Sequence, residues 1–229
     1  MAFQGYSYNK ELIGDNNGDF SGNIQTSGLY PILIERLEYK EKQNDKYPDG
    51  LRKEFAIAYS MNGKKGYLYG LPINKVDGEL NQRTQKIINN LMSICGVFKD
   101  LKEPVKTTVE RTNGDSTEVL HFKELADKEV IVYVKAQYSK FNNKIYKNLQ
   151  VVDFFQKGTK ASISELLAKD PNKYGQRYEK MKEKGFDTQV EYTGVTVEEA
   201  EHWEEMQRKN SNKQGTTPDV GTEGDEIPF

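Results

Sequence analysis

The residues best placed to do chemistry at a surface here are aromatic rings and cations set two apart, as alternate positions of a strand are. Tyr67 and Tyr69 lie two apart in "GYLYG", and Ala56 and Ala58 lie two apart in "FAIAYS". Between these stretches stands "NGKK", whose Asn-Gly pair is a hairpin-closing dipeptide. A two-residue loop pairs Ala58 with Tyr67 and Ala56 with Tyr69. Opposed residues share a side, so one face carries Arg52, Ala56, Ala58, Lys65, Tyr67 and Tyr69. The other, with Phe55, Ile57, Tyr59 and Leu68, reads as core. Alanine beside tyrosine leaves room for a flat ring to lie against the phenol.

A second hairpin repeats this division. "EVIVYVKAQYS" and "KIYKNLQVVDFF" meet across Asn142-Asn143, with Val130, Val132, Val134, Ala136, Leu149 and Val151 on the side that can be interior. Tyr133, Lys135, Gln137, Phe141, Lys144, Tyr146, Asn148 and Gln150 fall on the other, and Lys140 and Lys147 add charge to the same hairpin. Rings alternating with cations and amides suit single-stranded nucleic acid. Exposed bases stack on such rings for about 1–3 kcal/mol each, while Lys and Arg follow the phosphates. Duplex hides its bases from the first of these terms. Cross-strand tyrosine pairing, which stabilises sheets without any ligand, accounts equally well for either hairpin alone.

Other chemistries find little support. His121, His202 and the single Cys95 lack metal-ligand spacing. No glycine-rich phosphate loop follows a strand, and the carboxylates of Glu35 and Glu38 are spaced for solvent. No catalytic residue, metal or cofactor is expected; an acidic pair assembled only by folding stays open.

The elements that must position these residues read in the order strand, strand, strand, helix, strand, strand. "LYPILIERLEYKE" is strand-like from Tyr30 to Tyr39, and the first hairpin follows a Pro/Asp-Gly loop. A helical stripe then joins Ile87, Ile88, Leu91, Ile94, Cys95 and Phe98. Residues 99–128 form a polar insertion with a possible small hairpin at "RTNGDS". This order is that of a five-stranded OB-fold barrel, β-β-β-α-β-β, so the expected class is mainly β with helices. Residues 1–27 read as a flexible arm and 28–157 as the barrel. Three short helices, capped in two cases by Ser162 and Thr196, make a helical extension over 158–209, and 210–229 reads as a disordered acidic tail.

Charge is unevenly spread along the 229 residues, of which 30% are charged and 35% apolar, with a net charge of -2. From Tyr133 to Lys160 six lysines face Asp153 alone, whereas glutamates dominate from Glu198 onward. A basic middle predicts a polyanion partner. One cysteine allows no intrachain disulfide and points to a reducing compartment. The N-terminus lacks a signal-peptide pattern and no stretch reaches the ~18 apolar residues of a membrane span, so a cytoplasmic protein is expected.

The ending, "DEIPF", resembles the terminal acidic tip of bacterial single-stranded DNA-binding proteins, with Glu226 in place of one Asp. That resemblance implies docking on replication, recombination and repair proteins. Ile227, Pro228 and Phe229 would be the anchors, Phe229 entering an apolar pocket, with Asp225 and Glu226 meeting a basic rim. Residues 27–155 look instead like phage-encoded single-stranded DNA-binding proteins, by pattern rather than by fixed motif. Together these imply a sequence-tolerant coat for single-stranded DNA, in a bacterial host's cytoplasm if phage-encoded, which recruits enzymes by its tip. A homo-oligomer such as a dimer is possible under that resemblance. Two other readings stay open: an adaptor or inhibitor that acts on host repair enzymes through the tip alone, and a strand-annealing recombination protein.

Overall fold

The structure, a computed structural model, describes residues 24–110, 116–186 and 189–214. Its frame is a mainly antiparallel sheet built around one long strand, β1 (Gly28–Gln43). Along one edge β1 pairs with β2 (Leu51–Met61), which pairs with β3 (Lys64–Pro72). Along the other edge, its first half pairs with β6 (Lys128–Phe141) and its second half with β5 (Ser116–Phe122). β4 (Val105–Glu110) pairs with β5, and β7 (Lys144–Gln156) with β6. No ladder joins β3 to β7, so the sheet is open rather than closed. The insertion is thus a hairpin, β4–β5, whose connecting residues 111–115 lie outside the described residues.

Turn chemistry sets the two long hairpins. Asn62 and Gly63 have φ of 53° and 78°, and Asn142 and Asn143 have φ of 48° and 59°. Two consecutive left-handed residues give the turn whose twist matches paired strands, and Asn and Gly tolerate that conformation best. The register follows: Ala58 stands opposite Tyr67, and Phe141 opposite Lys144. The expected pairing of Ala56 with Tyr69 does not form. The register shifts between Phe55 and Ile57, so that Phe55 faces Leu71, with Gly70 in the left-handed region opposite the shift.

A shift in β1 between Ile34 and Arg36 has a similar effect. Strict alternation would place Ile34 and Leu37 on opposite faces, yet both are fully buried. The irregularity turns both inward and sends Arg36, Glu38 and Lys40 to the outer face. Helix α1 (Gln82–Ile94) begins where the Asn81 side chain accepts from the N–H groups of Arg83 and Thr84. It lays Ile87, Ile88, Leu91 and Ile94 on Ile57, Leu68, Val132, Val134 and Phe154 of the core. Phe98, placed on this stripe by spacing, is 83% exposed, because the helix stops at Ile94 and the chain turns away through Gly96.

The C-terminal part is α2 (Ile163–Ala168), α3 (Gln176–Glu183), the short strand β8 (Glu191–Thr193) and α4 (Val197–Gln214). Glu165 of α2 accepts from the backbone N–H of Ser162, Gly175 and Arg177, tying α2 to the first turn of α3. α3 seats Tyr178 and Met181 on Ile131, Tyr133 and Phe155, whereas β8 runs parallel to Gln137–Ser139 of β6. α4 starts with a reciprocal cap between Thr196 and Glu199 and seats Ala200 and Trp203 on Ala136 and Tyr138.

Two expected boundaries move. Residues 24–27 are not part of a free arm: Ile24 is buried and donates its N–H to the Tyr59 hydroxyl, while Ser27 accepts from the Ala136 N–H. At the other end the helix continues past Asn210 to Gln214. The acidic tip, Asp225, Glu226, Ile227, Pro228 and Phe229, and the rest of the expected arm and tail lie outside the described residues. No described helix is long and apolar enough to cross a membrane.

Candidate nucleic-acid interface

The outer face of the β1–β2–β3 meander gathers rings and charges in adjacent rows. Tyr67 of β3, Ala58 of β2 and Arg36 of β1 form one row by register, and Ala56 and Glu38 belong to the next, beside Tyr69. Lys40 opposite Glu54 and Lys42 opposite Arg52 continue it. The two alanines are fully covered, while Tyr67 and Tyr69 are 37% and 46% exposed. Large rings standing over small side chains stay open to solvent on their far faces.

The tyrosine rings are nearly parallel, at 11° with centroids 5.6 Å apart. A base inserted between them would need two stacking contacts, about 7 Å in all, so bases can stack only on the outer faces of the pair. The Lys40 ammonium lies 5.3 Å from the Tyr67 ring and 5.0 Å from the Tyr69 ring. That places a cation beside the rings, where a phosphate flanking a stacked base can reach it.

Glu38, only 1% exposed, organises this patch. Its carboxylate accepts from Arg36 Nε at 3.2 Å, pairs with Lys40 Nζ at 3.3 Å, and accepts from the Tyr67 hydroxyl at 3.4 Å. Burial disfavours the charged form of Arg36, but its bonds to Glu38 and Tyr67 outweigh this and raise its pKa. Burial, and then the Glu38 charge, raise the pKa of Tyr67 and keep the phenol protonated. Glu38 was expected in solvent; the register shift in β1 is what turns it under Arg36, Lys40 and Tyr67. On the adjoining strand His121 faces Glu38, buried, with no hydrogen-bond partner for Nδ1. Burial, then the Arg36 and Lys123 charges, lower its pKa.

Cations rim the patch, each tied loosely. Lys65, with its side chain 75% exposed, reaches Glu35 at 3.4 Å, and Arg52 and Lys42 each reach Glu54 at 3.2 Å. Arg36, Lys40, Lys42, Arg52 and Lys65 outnumber Glu35, Glu38 and Glu54, so the face stays net positive. Of the residues expected on the first hairpin, Arg52, Lys65, Tyr67 and Tyr69 are therefore brought together. Arg36, Lys40 and Lys42 were missed, although "RLEYKEK" sets them four and two apart, on alternate positions of a strand.

The second hairpin departs from expectation. Tyr133 is not an exposed ring: it is 3% exposed beneath α3, and its hydroxyl donates to Gln189. Lys140 and Lys147 do not share a face with Phe141 and Tyr146. Lys140 stands opposite Ile145 and Lys147 opposite Tyr138, on the side covered by α4, where they pair with Glu199 at 2.7 Å and Glu204 at 2.5 Å. Lys135 pairs with Glu191 of β8 at 3.2 Å. The lysine-rich stretch is thus largely neutralised by the chain's own acidic end. What stays together on the outer face is Phe141 opposite Lys144, Ser139 opposite Tyr146 and Gln137 opposite Asn148. Of these Phe141 is 38% exposed and Lys144 exposed, with Tyr146 and Gln137 half-buried.

Among the described residues no group of His, Cys, Asp and Glu is placed to hold a metal ion. Of the concave sites, the one beside the β1–β2 loop is lined by Asp49 and Lys53, which pair with each other at 2.7 Å, and the one beside α3 by Lys160 and Glu179, which pair at 3.0 Å. No protein-family model matches the chain, and no match to it was found among curated proteins.

Proposed function

We propose that this chain binds single-stranded DNA without catalysing a reaction, stacking bases on Tyr67 and Tyr69 while Arg36, Lys40, Lys42, Arg52 and Lys65 follow the phosphates. The observation that carries this is the exposed, parallel tyrosine pair with an ammonium beside both rings. Stacking is indifferent to base identity, so the binding is sequence-tolerant. Phe141, Lys144 and Tyr146 would extend the track along the second hairpin. The path β3–β2–β1–β6–β7, with α1 between β3 and β6, supports an OB-type reading of the sheet. Under that reading the protein coats single strands in replication, recombination or repair, and the tip Asp225–Phe229 recruits partner enzymes.

Titration of the full chain with oligo-dT and with matched duplex, at low and moderate salt, tests this. The expected result is tight, salt-weakened binding to oligo-dT and far weaker binding to duplex. Binding to neither would overturn it. The carboxylates of Glu35, Glu38 and Glu54 within the patch favour one second reading, a protein-interaction adaptor acting through the tip alone. That reading gains if a tip peptide captures repair enzymes while oligo-dT does not bind.

A further inference from the structure

The second hairpin also sets a tyrosine among lysines, on the side that the chain itself covers. Tyr138 stands opposite Lys147 and two residues from Lys140 on the same strand, with the Lys147 ammonium 5.5 Å from the Tyr138 ring. Tyr192 stacks on Tyr138 at 5.6 Å and 11°, and Trp203 meets it edge-on at 6.3 Å. The anions are equally well placed. One oxygen of Glu204 accepts both the Tyr138 hydroxyl at 2.7 Å and the Lys147 ammonium, while Glu199 takes Lys140. The ionic and ring contacts have counterparts in a bound single strand, the carboxylates standing for phosphates and the Tyr192 ring for a base.

The cover is also light. β8 pairs over only three residues, all exposed. The apolar cluster under α4 holds just Ala136, Tyr138, Val195 and Ala200 as buried members. Ion pairs with partly exposed partners, such as Lys140–Glu199, are weak and salt-sensitive. A polyanion that supplies phosphates and bases can therefore replace the ionic and ring contacts, at the cost of this small apolar cluster.

We propose that the surface of β6–β7 beneath α4 and beside β8, centred on Tyr138, Lys140 and Lys147, is a second single-strand binding surface, which the acidic C-terminal segment occupies until a long strand displaces it. This rests on the reading of the Tyr67–Tyr69 patch as the first such surface. Short strands engage only that patch; longer ones reach both. Trp203, the chain's single tryptophan, sits in the contact that must open and reports on it directly.

The test compares full-length wild type with the E199Q/E204Q variant, which keeps side-chain size while removing both anions. Oligo-dT of about 12 and about 40 nucleotides are the probes, since one OB-type surface spans roughly 4–16 nucleotides. The variant should bind the longer oligomer about three- to tenfold more tightly, as expected for releasing two weak ion pairs, with little change for the shorter. In wild type the longer oligomer should shift Trp203 emission to the red and speed hydrogen exchange in α4, and the shorter should do neither. Equal affinities of variant and wild type for the longer strand, with Trp203 emission and α4 exchange unmoved, would overturn the proposal. A Tyr67→Ala/Tyr69→Ala variant separates the two readings. If the variant loses the short oligomer while α4 of the wild type stays closed to the long one, only the second surface is disproved. If no protein binds either oligomer, both readings fall.

Discussion

At the scale of single residues, the patch divides between groups that touch a ligand and groups that hold them. Tyr67 and Tyr69 expose their rings over buried alanines, so truncating them removes stacking area with little loss of core. Tyr67→Ala and Tyr69→Ala should each weaken oligo-dT binding about five- to hundredfold, the equivalent of one lost base stack, with denaturation midpoints nearly unchanged. Glu38 should behave in the opposite way. Its carboxylate is buried under Arg36 and Lys40, and Glu38→Gln leaves Lys40 without this counter-charge and Arg36 with the longer contact to Glu35 at 3.5 Å. Stability should fall by roughly 1–3 kcal/mol in urea unfolding while oligo-dT affinity does not fall, because the face becomes more positive. His121 adds a pH dependence. Its folded pKa is lowered by burial and by Arg36 and Lys123, so the unfolded chain binds the proton more readily. The stability it contributes is fully present above about pH 6.5 and is lost as pH falls through the lowered folded value. His121→Gln should flatten that part of the stability–pH curve, read from urea midpoints across pH 5–8.

At the scale of elements, local chemistry decides hairpins and caps, whereas register irregularities decide faces. The Asn-Gly and Asn-Asn turns were legible because their left-handed dihedrals are a property of two residues. The faces nearest those turns were legible as well, since strand alternation counts outward from the loop. Farther away the count failed. Neither shift, Ile34/Arg36 in β1 nor Phe55/Ile57 in β2, leaves a mark in the hydrophobic pattern, yet together they place Glu38, Lys40 and the Tyr69 row. α4 illustrates the cap. Thr196 accepts from the Glu199 N–H and Glu199 accepts from the Thr196 N–H, so Glu199 serves the cap and Lys140 at once. Thr196→Ala should cost the helix about 1 kcal/mol, visible as faster hydrogen exchange in its first turns and a small red shift of Trp203.

At the scale of the whole molecule, charge placement governs the expected behaviour. The whole chain carries a net charge of -2, and folding sets its basic middle against its acidic end. Residues 219–229 add Asp219, Glu223, Asp225 and Glu226 to the acidic end. Under the proposed function, a tethered acidic segment competes with DNA for the cationic face at high effective concentration. Removing residues 219–229 should therefore tighten oligo-dT binding at low salt, and the gain should vanish as salt screens the competition. The same truncation should abolish capture of partner enzymes. Unchanged affinity and unchanged capture would remove both roles from the tip.

The sequence by itself determined what short-range rules control: two hairpins and their loops, the α1 stripe from Ile87 to Ile94, the caps at Ser162 and Thr196, and the ring-bearing face of the first hairpin. Only the tertiary structure decided which of those faces stay open. Tyr133 was equal to Tyr67 by spacing, but α3 buries the first and nothing described covers the second. Lys135, Lys140 and Lys147 looked like a polyanion track until Glu191, Glu199 and Glu204, 56 to 59 residues away, met them. The physical reason is the range of the forces involved. Turn dihedrals and side-chain alternation are written in neighbours, while coverage and charge neutralisation depend on segments that only the folded chain brings together.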